Sequence, residues 1–288
     1  MDNTRIHLTE CPRDAMQGIN AFIPTPLKIE YLNALLQCGF DRLDFGSFVS
    51  PKAIPQLADT SEVIRHLIDS DTALLAIIAN EKGMEQALSF DRISFLGYPF
   101  SISEQFQLRN TNSSIQASKL LLKRMTSEIH SAKREIMLYL SMGFGNPYGD
   151  PWSVSLLVDH ARALHEEFGI SHFALSDTIG AATPSVLKEV FEAVSGKLPN
   201  IEIGVHLHTI PNNASSLIQS ALRAGCHRFD SAMMGIGGCP MASDVLTGNL
   251  ATETLLAYCV EHHVNTVIDF DAVRNAQEKA ASIFNFYH

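Results

Sequence analysis

The octapeptide GVHLHTIP, Gly204 to Pro211, sets two histidines one residue apart in a run that otherwise reads as a buried strand. Residues i and i+2 of a strand point to one face, so His206 and His208 look one way while Val205 and Leu207 look the other. The apolar pair suits packing against helices, and the histidines then face a barrel interior or a cleft. Two hydrogen-bonded core histidines and a pair of metal ligands both satisfy this pattern, neutral imidazole being the commonest protein metal ligand. With a nearby aspartate and an amide oxygen, the two imidazoles would form a mixed nitrogen and oxygen shell. Such a shell suits Mg²⁺, Mn²⁺ or Zn²⁺ acting as a Lewis acid, and it lacks the thiolates of a structural zinc site.

Other chemistry-bearing residues are spread along the chain, so the elements that position them must alternate regularly. Eight strand-like runs recur: RIHLTE, RLDFG, ALLAIIA, RISFLG, IMLYLSM, HFALS, EIGVHLH and RFDSAM. Amphipathic stretches separate them. Thr25-Pro26, Asp150-Pro151 and Thr183-Pro184 each offer a capping side chain followed by proline at the first helical position. Ile29, Leu32 and Leu36 trace a helical stripe that Gly39 ends, and Leu217, Ile218, Ala221 and Leu222 do the same before Gly225. Alternation of this kind implies parallel strands with right-handed crossovers, and eight units in 288 residues favour a (β/α)8 TIM barrel. No linker or low-complexity tract divides residues 1–288, so a single domain is expected. Its tail, from about Val264, reads as an extra strand-like piece and a C-terminal helix packed on the barrel.

Active sites of such barrels lie at the C-terminal ends of the strands. Those positions hold Arg13 and Asp14 after the first strand, Asp44 at the end of the second, and Ser103, Glu104 and Asn110 after the fourth. Asp177 and Thr178 end the sixth, His206 and His208 the seventh, and GIGGCPMASDVLTGN follows the eighth. Asp44 or Asp177 alone could simply cap a helix. Capping does not account for all of these groups falling at the same end.

The wider composition restricts the remaining classes. A net charge of −10, from 31 acidic and 21 basic residues, opposes nonspecific binding to nucleic acid or to an anionic membrane. The five cysteines are scattered and form no C-x-x-C pair, which points to a reducing cytoplasm. The start MDNTRIHLTE has no apolar signal core, and the apolar run ALLAIIA is far too short to span a bilayer. A soluble cytoplasmic protein is expected.

The ordered set ECPRDAMQG, FGSFVSPKAIPQLADT, PFSISEQFQLRNTNSS, LSDTIGAATP, GVHLHT and GIGGCPMASDVLTGNLATE resembles the 3-hydroxy-3-methylglutaryl-CoA lyase family across nearly the whole chain. The resemblance implies metal-assisted retro-Claisen cleavage of 3-hydroxy-3-methylglutaryl-CoA, or a close branched 3-hydroxyacyl-CoA, to acetyl-CoA and acetoacetate. It implies a divalent cation, Mg²⁺ or Mn²⁺ ahead of Zn²⁺, held by Asp14, His206, His208 and Asn249. It assigns Arg13 to the substrate carbonyl and the enolate, and Cys239 to proton transfer at the acyl-CoA end. Asp44, Asp177 and His206 would form the catalytic wall, with Gln17, Ser47, Asn110 and Thr178 binding substrate. Lys52 and Arg109 are candidates by position for the CoA phosphates. The implied partner is an acyl-CoA, with no nucleic acid and no membrane, and a homodimer is left open.

Several positions depart from the family pattern. Thr9 stands where many members carry glutamate, Ala15 where they carry glycine, and Thr209 where aspartate follows the second histidine. Met137 replaces an arginine, Asn146 replaces a cysteine, and the span from Cys239 to Asn249 is one residue longer than the commonest form. These departures imply a divergent branch of the family that the chain resembles. A condensing enzyme of the isopropylmalate- or homocitrate-synthase kind shares the barrel and metal. It would carry asparagine at Thr209 and a further C-terminal region. A catalytically inactive binding barrel is the other alternative, opposed by the retained ligands, Arg13 and Cys239. On residue type alone, Asn249 reads as the cap of the helix beginning in LATETLLAYCV.

Overall fold

The computed structural model describes residues 5–238 and 247–287. All eight apolar runs form strands: β1 (His7–Glu10), β2 (Arg42–Ser47), β3 (Ala73–Ile77), β4 (Ile93–Ser101), β5 (Glu135–Ser141), β6 (His172–Asp177), β7 (Glu202–Leu207) and β8 (Arg228–Ser231). Each pairs in parallel with its successor, and β1 pairs with β8 from His7↔Arg228 to Glu10↔Ser231, which closes the barrel. Helices connect the strands, as parallel crossovers require. The (β/α)8 barrel expected from the sequence is the fold.

Strand alternation sorts the side chains into two layers. Leu74, Ala76, Leu138, Leu140, Phe173, Leu175, Val205, Leu207 and Phe229 join the large core between sheet and helices. Leu75, Ile77, Met137, Tyr139 and Ala174, at the intervening positions, form a separate cluster inside the barrel. By the same alternation Thr9, Cys11, Arg42, Asp44, His206, Arg228 and Asp230 belong to the inner face, and all are buried. The interior is therefore apolar on the side of β3, β5 and β6, and charged on the side of β1, β2, β7 and β8.

The helix boundaries follow the sequence signals unevenly. Thr183 caps helix Pro184–Lys197, its hydroxyl accepting from the Val186 N–H. Thr25 instead lies inside helix Thr25–Leu35, with Pro24 at the cap position, and its hydroxyl donates to Asp59. Asp150 does not cap either. Helix Val154–Phe168 is capped by Ser153, while the Asp150 carboxylate accepts from the Ser103 hydroxyl and the Gln105 N–H. The tail contains helix Phe270–Tyr287, but the strand-like piece before it is no strand. Its backbone is used in single bonds, with Asn265 accepting from the Ile6 N–H and Asp269 donating to the Cys38 carbonyl. An apolar run without a free sheet edge has no ladder to join, because the barrel is already closed.

Candidate active site

Helix Pro12–Gln17 begins directly after β1 and carries Arg13 and Asp14 to the barrel mouth. His206 and His208 arrive from β7, on the face expected from their spacing. The ligand-capable atoms of Asp14, His206 and His208 all lie within 4.8 Å of one another, and all three residues are buried. Asn249 joins them from the segment after β8. It pairs with His208 in an isolated antiparallel bridge, and its amide donates to Asp14 Oδ2 at 2.7 Å and to the Ile236 carbonyl at 2.9 Å. The helix that follows starts at Thr252 with Ala251 as its cap. Asn249 is thus turned to the site rather than to capping. Gly237 makes this approach feasible, since a Cβ there would lie 2.6 Å from Asn249 Nδ2 and 2.8 Å from the Asp14 carbonyl oxygen.

The donor set suits a divalent cation. Burial pushes the Asp14 carboxyl upward, but Arg13, His206 and His208 outweigh it and hold the group well below the usual carboxylate range. Burial, reinforced by the neighbouring His206, pulls His208 down to about 4, so its ring carries a free lone pair at neutral pH. Burial also disfavours the charged form of His206, but the hydrogen bond to Asp230 and the negative charges of Asp230 and Asp14 together outweigh it and raise that ring. One carboxylate, two imidazoles and an amide make the mixed shell argued from sequence.

Arg13 is clamped beside this group. Its Nε and one terminal nitrogen donate to Asp44 Oδ2 at 3.0 and 2.5 Å. Its other terminal nitrogen donates to Asp14 Oδ1 and Gln17 Oε1, each at 2.8 Å. Asp44 is the third residue of β2 rather than its end, just before a register shift between Asp44 and Gly46. Burial drives its carboxyl up to about 6 against the pull of Arg13. Asp44 therefore acts on the site by orienting Arg13.

A cavity of about 380 Å³ opens over these groups. Arg13, Asp14, Gln17, Asn110, Thr178, His206 and His208 line it, together with Arg109. Ser47 is not among its lining residues and borders a neighbouring cavity of about 340 Å³, while its hydroxyl accepts from the Val49 N–H. Asp177 lies at the end of β6, where its two oxygens accept from the N–H groups of Ala181 and Ala182 and so shape the following loop. Burial raises its carboxyl to about 6. Ser103 caps helix Glu104–Thr111, and Glu104 accepts from the Ile115 N–H, so both are committed to local structure. Lys52 is exposed and lines neither cavity. Cys239 lies outside the described residues.

Among the cavity residues that escaped the sequence reading, Tyr139 stands beside the ligand group. Tyr139 lines the pocket with its ring edge-on to His206, the centroids 5.7 Å apart, and its buried hydroxyl has no hydrogen-bond partner. Its signal was alternation: Met137 and Tyr139 share a face of β5, as the two histidines do on β7.

The HMGL-like family model matches residues 6–279. The chain belongs to the HMGL-like family. This bears out the resemblance carried by the ordered motifs, and with it an enzyme of the carbon–carbon lyase type. The chain is 32% identical over 266 residues to the hydroxymethylglutaryl-CoA lyase of Bacillus subtilis, covering 92% of this chain and 88% of that protein. It is 33% identical over 248 residues to the mitochondrial hydroxymethylglutaryl-CoA lyase of Mus musculus, covering 85% and 75% respectively. Among solved structures, an HMG-CoA lyase from Acinetobacter baumannii in complex with coenzyme A and 3-methylmalate superposes with a TM-score of 0.91. That match has 28% identity and covers 99% of this chain and 93% of the other. Among the described residues no helix is long and apolar enough to cross a membrane.

Proposed function

We propose that this protein cleaves 3-hydroxy-3-methylglutaryl-CoA, or a close branched 3-hydroxyacyl-CoA, to acetyl-CoA and an oxoacid, acetoacetate in the first case. The observation that carries this reading is the convergence of Asp14, His206 and His208 with a clamped Arg13 at the floor of one cavity. Family membership supplies the reaction class. Asp14, His206, His208 and Asn249 would hold a divalent cation, whose chemistry when bound is Lewis-acid polarisation of substrate oxygens.

The chain's own groups account for the rest. Cleavage takes the proton from the 3-hydroxyl, breaks the C2–C3 bond and leaves its electron pair as a thioester enolate. Arg13 is fixed on two sides by Asp44 and Asp14, so its guanidinium meets the developing oxyanion without reorganising. Gln17 and Asn110, in the cavity wall, offer amides to the hydroxyl and acyl oxygens. Asp177 keeps the loop that carries Thr178 in place. The enolate carbon then takes a proton, which we assign to the Cys239 thiol, and the proton released from the 3-hydroxyl restores that thiol, so no net proton is gained or lost.

A coupled assay of the metal-supplemented protein across several branched 3-hydroxyacyl-CoA thioesters tests this reading, with acetyl-CoA and oxoacid quantified separately. Equimolar formation of both from one thioester is expected. Cys239→Ser should keep its metal while turnover falls by roughly 10²-fold, in the range of lost general acid–base assistance. Near-wild-type turnover in that variant would remove Cys239 from the reaction.

A further inference from the structure

Beneath the ligand group, the barrel interior holds a charged chain that the proposed reaction does not use. Arg228 is 2% exposed, and Asp230, two residues on along the same face of β8, is 1% exposed. One terminal nitrogen of Arg228 donates to Asp230 Oδ1 at 2.5 Å and approaches Thr9 Oγ1 at 3.5 Å. The other terminal nitrogen donates to the Phe173 carbonyl at 3.1 Å, and Nε lies 3.5 Å from Glu202 Oε1. The remaining oxygen of Asp230 accepts from His206 Nδ1 at 3.2 Å. Space for the guanidinium comes from Gly204 on β7, where a Cβ would lie 2.2 Å from Arg228 Nε and 2.5 Å from Cζ. A fully buried arginine filling the hollow over a glycine, two residues from a ligand on the same strand, is a built arrangement.

We propose that Arg228 is a positioning residue for His206, acting through Asp230. An arginine that pins one carboxylate oxygen leaves the other free only to accept. The imidazole must then place its proton on Nδ1, which leaves the Nε2 lone pair for the cation side of the ring. Arg228 also neutralises Asp230 in the barrel interior, where an unpaired carboxylate would take up a proton or turn away. Without that cation the acceptor that sets the tautomer and the ring plane is lost. The inference rests on the proposed ligand role of His206 for its consequence, but not for its geometry.

The test uses metal-stripped protein with ¹⁵N-labelled histidine, the His206 signals being assigned from their loss in His206→Asn. In wild type at alkaline pH, where the ring is neutral, His206 should show the Nδ1–H tautomer with a proton signal shifted downfield by the carboxylate. Arg228→Met should scramble that tautomer, Arg228→Lys should restore it in part, and folding is checked by circular dichroism. Gly204→Ala is the second variant, because it displaces the guanidinium while keeping every charge, and it should shift the His206 signals in the same direction. Unchanged His206 signals in folded Arg228→Met or Gly204→Ala would overturn the proposal. Cobalt(II) titration supplies the consequence, with an affinity about 10- to 100-fold weaker in Arg228→Met, the size usual for groups that orient a ligand. Failure of wild type to take up cobalt would refute the ligand reading alone, since the tautomer result stands without metal.

Discussion

The catalytic role proposed for Arg13 depends on its being restrained. That side chain spends hydrogen bonds on Asp44, Asp14 and Gln17 and still borders the cavity. On the proposed reaction its partner charge would appear only during cleavage, which would make its contribution specific to the transition state. Arg13→Ala is therefore expected to lower kcat by about 10²- to 10³-fold with little change in KM, read from steady-state kinetics below the variant's melting transition. A change confined to KM would mean that Arg13 only binds ground-state substrate. At this scale the sequence was legible wherever residue type and position coincided, as for Arg13, Asp14, His206 and His208. It was illegible where a partner came from far along the chain. Asn249 lies 235 positions from the Asp14 carboxylate it meets, and only the family pattern distinguished it from a helix cap. Arg228 and Asp230 carried the same i, i+2 signal in RFDSAM as the two histidines, but an arginine–aspartate pair reads as a solvated face until the barrel closes around it.

The elements were legible as apolar runs, and their ends were not, because caps are chosen by tertiary competition. Asp150 illustrates this, its carboxylate drawn away from Val154 by Ser103 and Gln105. Glu10 shows the opposite case, an acid deep between elements. It sits on the outer face of β1, where its oxygens accept from the Met233 N–H after β8 and from the Thr252 hydroxyl at the head of the next helix. It thereby clasps both ends of the segment that delivers Asn249. Burial raises its carboxyl to about 8, against the opposing bonds from Thr252 and Met233 and with some help from Glu253. A carboxyl raised from 4.5 to about 8 holds its proton more tightly in the folded state. Its contribution to stability is complete below 4.5 and is lost as the pH rises toward 8. Glu10→Gln keeps the shape and cannot ionise. Its stability relative to wild type should therefore climb between pH 4.5 and 8, at up to about 1.4 kcal/mol per unit, and level off above. Denaturant unfolding of both proteins across that range measures the slope. A pH-independent difference would mean that Glu10 is already charged in the fold.

On the scale of the whole barrel, the proposed ligands sit on the seam where the chain closes on itself. Asp14 follows β1, His206 and His208 belong to β7 and its end, and Asn249 follows β8, so three neighbouring staves meet at one point. The β1–β8 pairing joins the first and last strands of the sequence, contacts that carry the largest loop-closure cost in the fold. A cation bound there ties those staves together in the native state only, since the unfolded chain separates the ligands by some 200 positions. Native-state binding at a hundredfold excess over Kd adds about 2.7 kcal/mol. For a chain of this size that corresponds to a rise in Tm of roughly 4–5 °C. Adding Mn²⁺ or Mg²⁺ to chelator-treated protein should therefore raise Tm in a concentration-dependent way, followed by calorimetry. His208→Ala removes one ligand from the middle of the seam, so it should remain folded, lose bound metal by elemental analysis and lose activity with it. Its Tm should no longer respond to the cation. An equal thermal shift in His208→Ala would place the stabilising ion elsewhere on this acidic protein and dissociate the four-residue group from metal binding.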